Sequence, residues 1–141
     1  MAYKYNKMIM NGAEKHIDGI ENIEMFLGDD DAWNFHDSEI YSFHYDRDTK
    51  IFTVTVDLIG CDFSKLEDFD YESTVLLDLH FVGCLDIHMP NVDFMCPYIY
   101  EIEISKSHKL IECWFNGYPI RVTSERLQVD KPRVIKITNI K

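Results

Sequence analysis

Basic residues are nearly absent from most of this chain. Residues 18–103 hold only Arg47, Lys50 and Lys65 against 21 of the 25 acidic residues, a formal charge of −18. Residues 104–141 reverse the sign, with eight Lys and Arg against Glu112, Glu125 and Asp130. At a net charge of −11, with no interleaving of Arg and aromatics, the chain is expected to avoid nucleic acid and anionic membranes and to attract basic partners. Long apolar runs are missing too: no stretch approaches the ~18 residues a membrane span needs, and the N-terminus has no secretory h-region. The expected compartment is therefore the cytoplasm. Cys61, Cys84, Cys96 and Cys113 form no C-x-x-C pair and sit beside apolar neighbours, as buried reduced thiols do. Also missing are G-x-S-x-G, a phosphate-cradling glycine loop, H-E-x-x-H and a complete EF-hand loop. No cofactor is expected, and the chain is expected not to be an enzyme.

What is there suits one folded domain over residues 1–141, since 141 residues with 46% apolar content can bury a core without disulfides or metal. The expected fold is mostly β: an antiparallel sandwich or strongly bent sheet of seven to eight short strands with one short N-terminal helix. Ile20, Ile23 and Leu27 recur at helical spacing, with Asp18 and Glu21 resembling a capping box and Gly28 closing the end. From Glu39 the apolar period becomes two. Pairing Tyr45 with Phe52, Phe43 with Val54 and Tyr41 with Val56 aligns two apolar faces around a four-residue loop, Arg47 to Lys50. Further strands are predicted over 74–82, 98–104, 110–115, 120–123 and 133–140. Residues 105–109 read as a five-residue hairpin loop, and 60–70 as an acidic surface loop. Gly83 reads either as a tight turn or as a bulge in one bent strand.

Three local features carry candidate chemistry. Leu77-Asp78-Leu79-His80 is echoed by Leu85-Asp86-Ile87-His88, and a hairpin at Gly83 would oppose Asp78 to His88 and His80 to Asp86. Such a cluster suits a divalent transition metal, as in a metal-dependent enzyme or metal-binding protein, although cross-strand ion pairing or a buried hydrogen-bonded network explains the same pattern without one. His36-Asp37-Ser38 has the residue types of a hydrolase triad, but adjacent residues on extended chain point to opposite faces, so the segment is expected to cap a turn. Tyr98, Tyr100, Trp114, Phe115 and Tyr118 form a candidate small-ligand face on a β module, or ordinary packing.

Phe35-His36-Asp37-Ser38-Glu39-Ile40 with its hairpin, Leu79 through Ile87, and Trp114-Phe115-Asn116-Gly117-Tyr118-Pro119-Ile120-Arg121-Val122 together resemble the bacterial immunity protein 50 family over most of residues 33–129. The resemblance implies a mostly β, non-catalytic, cytoplasmic protein that binds and neutralises a cognate toxin domain made by the same cell. A basic toxin domain is the expected partner, held by acidic loop residues Asp29, Asp30, Asp31, Asp62, Glu67, Asp68, Asp70 and Glu72. A basic edge beside an acidic body also permits a homodimer.

Overall fold

The computed structural model describes residues 9–10, 12–26, 35–89, 97–117 and 120–136. The predicted fold class holds: the chain is mostly β, a bent open sheet with a short N-terminal helix. Among the described residues nine strands join one sheet: β1 Ile9–Met10, β2 Ile17–Asp18, β3 Glu39–Asp46, β4 Ile51–Asp57, β5 Ser73–His88, β6 Glu101–Ser107, β7 Leu110–Asn116, β8 Ile120–Val129 and β9 Arg133–Lys136. Their order is β1-β6-β7-β8-β5-β4-β3, and all pairs are antiparallel except β1 with β6 and β2 with β8.

Two long strands organise the rest. β5 takes β4 on one edge through Leu76–Phe81, while its other edge takes β9 at Ser73–Leu76 and β8 from Leu79 to His88. β8 in turn shares its far edge between β7 and β2. Gly83 lies inside β5 with φ +64°, and the register slips between Cys84 and Asp86, so the bent-strand reading is the correct one. Alternation then sends Val75, Leu77, Leu79 and Phe81 into one buried cluster with Phe52, Val54, Val56, Ile102, Ile104, Cys113, Phe115, Val122 and Leu127. Ala13, Ile17, Ile23 and Phe26 close that core from the N-terminal side, helped by Phe63, Leu66 and Phe69 of the acidic loop.

The β3–β4 hairpin follows its predicted register at Tyr45↔Phe52 and Phe43↔Val54, with Asp46 and Ile51 closing the loop. Tyr41 departs from it. A bulge between Ile40 and Ser42 gives Val56 to Ile40 and leaves Tyr41 61% exposed. The predicted helix also shrinks, to α1 at Glu21–Glu24 with Ile20 at its N-cap and no side-chain cap. Asp18 cannot cap it because β2 holds Asp18 against β8, where Arg126 grips both carboxylate oxygens at 2.8 and 3.0 Å. The predicted loop at 105–109 tightens to two residues, since pairing continues to Ser107↔Leu110 and His108 turns with φ +58°. Cys84 and Cys113 are buried, and burial pushes all three described thiols up, that of Cys61 to about 12. Cys96 lies outside the described residues.

One cross-strand pair works against the fold. Glu39 sits directly opposite Asp57, and burial first, then the Glu39 charge, raises the Asp57 carboxyl above its usual value. A carboxyl raised in the folded state binds its proton more tightly there than in the unfolded chain. Its ionised form therefore costs stability above the raised value, and the cost disappears as pH falls through it. Asp57→Asn is expected to raise stability at pH 7 by about 0.5 kcal/mol, the scale of a like-charge pair, and to change nothing near pH 3. Urea unfolding at the two pH values measures both.

Candidate functional site

The face of the sheet turned away from the core carries a connected polar network. Thr53 and Thr55 on β4, Asp78 and His80 on β5, Gln128 on β8, Asp130 just beyond it and Arg133 on β9 meet there. Register brings them together: Thr53 stands opposite His80 and Thr55 opposite Asp78 on one side, and Gln128 opposite His80 on the other. The Asp130 N–H donates to the Asp78 carbonyl at 3.3 Å, anchoring the link through which β8 runs on into β9 along the same edge of β5.

Asp78, His80 and Asp130 are each held twice. His80 Nδ1 lies 2.7 Å from Thr53 Oγ1, and its Nε2 lies 2.7 Å from Asp130 Oδ2. With Asp130 ionised, Nε2 donates, and in the neutral ring Nδ1 accepts the Thr53 O–H. Gln128 donates to the other Asp130 oxygen at 3.2 Å. Thr55 donates to Asp78 Oδ1 at 2.6 Å and Arg133 donates to the same atom at 2.9 Å. Burial alone would raise Asp130, but hydrogen bonds from His80 and Gln128, with the charges of His80 and Arg133, outweigh it and hold the carboxyl low. The Asp78 and His80 side chains are only 16% and 23% exposed, so the centre of the network is shielded from water, while Asp130, at 45%, and Arg133, at 51%, face solvent.

The four residues of the sequence echo are thus divided. Asp78 and His80 belong to the network, while Asp86 and His88 lie further along the same strand, opposite Thr123 and Arg121. The opposed arrangement a hairpin would have created does not form, because β5 continues through its bend at Gly83. Asp130, Thr53 and Thr55 complete the cluster instead, and their only sequence signal was the outward phase of Thr53 and Thr55 in a strand of otherwise buried residues. His36-Asp37-Ser38 is a turn, as expected. Ser38 is buried and accepts the Ile59 N–H at 3.1 Å, whereas His36 and Asp37 are exposed, with His36 Nδ1 2.7 Å from the Tyr100 carbonyl.

The acidic residues predicted to bind a partner fall into distinct groups. Asp29, Asp30 and Asp31 lie outside the described residues. Asp62 accepts the Ser64 N–H, and Asp70 accepts from Glu72 N–H and the Ser73 hydroxyl and pairs with Lys136, so these two shape the loop. Those contacts lower both carboxyls, led in each by the backbone N–H. Glu67, Asp68 and Glu72 point outward, joined by Tyr71, which is 92% exposed and which charge patterning had not singled out. A groove of about 560 Å³ runs beside Glu67 and Asp68 between α1, this loop and the β8–β9 link.

The aromatic set does not make one face. Phe115 is buried, Tyr98 and Tyr100 are exposed, and Trp114 lies under the Arg121 guanidinium at 5.0 Å. Tyr118 lies outside the described residues. The hollow bordered by Trp114, Arg121 and His88 holds about 260 Å³, below the ~300–1,000 Å³ usual for small-molecule pockets.

No family model matches the chain, and no curated protein matches it significantly. Among solved structures it is similar to the crystal structure of an uncharacterized protein from Neisseria gonorrhoeae, at 17% identity and a TM-score of 0.46, covering 68% of this chain and 92% of that one. The resemblance to the immunity protein 50 family therefore stands on its three short segments alone.

Proposed function

We propose that this is a non-catalytic immunity-type protein of the bacterial cytoplasm that neutralises a cognate toxin domain by binding it through the acidic loop at residues 61–72. The observation that carries the reading is Tyr71, 92% exposed between Asp70 and Glu72. Phe63, Leu66 and Phe69 pack that loop onto the core, and Asp62 and Asp70 close its turns. Its outward side chains are thereby presented on a backbone already ordered, which removes part of the entropy cost of docking. Tyrosine is over-represented at the energetic centres of interfaces, with polar residues at the rim around them. The groove beside Glu67 and Asp68, with Met25, Leu66 and Val134 in its lining, offers room for a partner side chain. Charge supplies speed: complementary fields raise association well above the ~10⁵–10⁶ M⁻¹s⁻¹ of neutral pairs.

The test uses the basic C-terminal domain of a toxin encoded immediately upstream, with association followed by stopped-flow fluorescence. Salt and the Glu67→Lys, Asp68→Lys, Glu72→Lys triple variant are each expected to slow association by about tenfold or more. Tyr71→Ala is expected to speed dissociation about thirtyfold, the scale of a ~2 kcal/mol anchor. An association rate indifferent to salt and to the triple reversal, or no basic partner recovered at low ionic strength, would overturn the proposal.

A further inference from the structure

We propose that Asp78, His80 and Asp130 form a divalent transition-metal site on the outer face of the sheet, with zinc the best-suited ion. One potential ligand atom from each residue lies within 4.8 Å of the other two. The surrounding hydrogen bonds have the pattern a metal site needs. A ligating histidine is normally fixed through its other ring nitrogen, and its carboxylate neighbours through their other oxygens. Here Thr53 engages His80 Nδ1, Gln128 engages Asp130 Oδ1, and Thr55 with Arg133 engages Asp78 Oδ1. That leaves His80 Nε2 and Asp130 Oδ2 turned toward each other at 2.7 Å. Zinc with ligand bonds of about 2.0–2.2 Å separates tetrahedral ligand atoms by roughly 3.3 Å, so a small outward movement of half-exposed Asp130 admits the ion.

Charge favours the same conclusion. Two carboxylates with a neutral imidazole present −2, of which Arg133 offsets one unit; with a cation on Nε2 the ring carries its one proton on Nδ1 and donates it to Thr53 Oγ1, so no net proton is lost. The mixed nitrogen and oxygen donors and the low ligand count select zinc over magnesium or calcium, which prefer more oxygens. Three protein ligands leave a fourth position for water on the solvent side. This inference is independent of toxin binding.

The test is isothermal titration of the untagged, chelator-stripped chain with Zn²⁺, paired with its melting temperature with and without the ion. One equivalent is expected to bind and to raise the melting temperature by linkage. His80→Ala should abolish both effects. Asp130→Asn, which retains the shape of the side chain, should weaken binding by about 100-fold, and Thr53→Val by about tenfold through the second shell. Asp86→Asn and His88→Ala should bind as the parent does. Uptake below one equivalent, or an affinity unchanged in Asp130→Asn and in His80→Ala, would overturn the assignment, as would equal losses in the Asp86 and His88 variants.

Discussion

Gly19→Ala is expected to destabilise the protein by about 4 kcal/mol, at the upper end for a single substitution. Gly19 has φ +82°, and a Cβ built on it would stand 2.1 Å from the Val129 carbonyl oxygen and 3.1 Å from its carbon. The obstacle is backbone, at the end of β8 where Val129 pairs with Leu79, so no rotamer change clears it. Left-handed backbone accounts for about 1–2 kcal/mol of the cost for any residue with a Cβ. The remainder comes from prising the junction of β2 and α1 away from β8. That movement would also break the 3.0 Å bond from Asn22 Nδ2 to the Val129 carbonyl and loosen Ile17, Ile23 and Phe26 from the core. Gly12→Ala is the control, because Gly12 has φ +75° with nothing within 4 Å of its Cβ position. Urea unfolding of both variants separates the clash from the dihedral, and equal losses at the two positions would sink the account.

Gly19 also illustrates which parts of this fold could be read in advance. The β3–β4 hairpin was legible because its determinants are local: two apolar periods of two and a four-residue loop between them. Its register failed only at Tyr41, where an inserted residue is invisible to a strict period. Gly83 could be narrowed to a turn or a bulge and no further, since what keeps β5 continuous is β8, whose partners Thr123 and Ser124 lie some forty residues later. The capping signal at Asp18 was outcompeted for a similar reason, as Arg126 claims its carboxylate. Short strands β1 and β2 carried no periodicity to detect, being defined by the strands they join.

The candidate sites divide along the same line. Asp78 and His80 stood out because an echo drew attention to them, but that echo also promoted Asp86 and His88, which are remote from the cluster. Asp130 belongs to the network because β8 and β9 run in line along one edge of β5 and the link between them passes beside Asp78, and nothing near it in sequence announces Thr53 or His80. In the acidic loop, composition identified the segment but not the labour within it. Asp62 and Asp70 fix the turns so that Glu67, Asp68, Tyr71 and Glu72 face outward, a division set by backbone geometry that equal formal charges conceal.

Phe81→Ala is expected to cost about 3–5 kcal/mol, the range for deleting a buried aromatic ring. Phe81 is fully buried, stacked on Phe52 at 6.3 Å and edge-on to Phe115 at 6.2 Å between ring centroids. It is also the last β5 residue paired on both edges, with Phe52 of β4 and Leu127 of β8, before the strand bends at Gly83. The cavity would therefore open where the β3–β4 side of the sheet meets the β6–β7 side. Phe52 and Phe115 come from those opposite sides, so they cannot refill it without moving the strands that hold them. Leu85→Ala, four residues on but 60% exposed, should change stability by under about 0.5 kcal/mol. Because β5 and β8 each run through both sides, the Phe81 variant should still unfold in one step, with tryptophan fluorescence and far-ultraviolet circular dichroism giving the same urea midpoint. Separate midpoints would mean that the two sides of the sheet are distinct cooperative units and that Phe81, rather than the long strands, is what couples them.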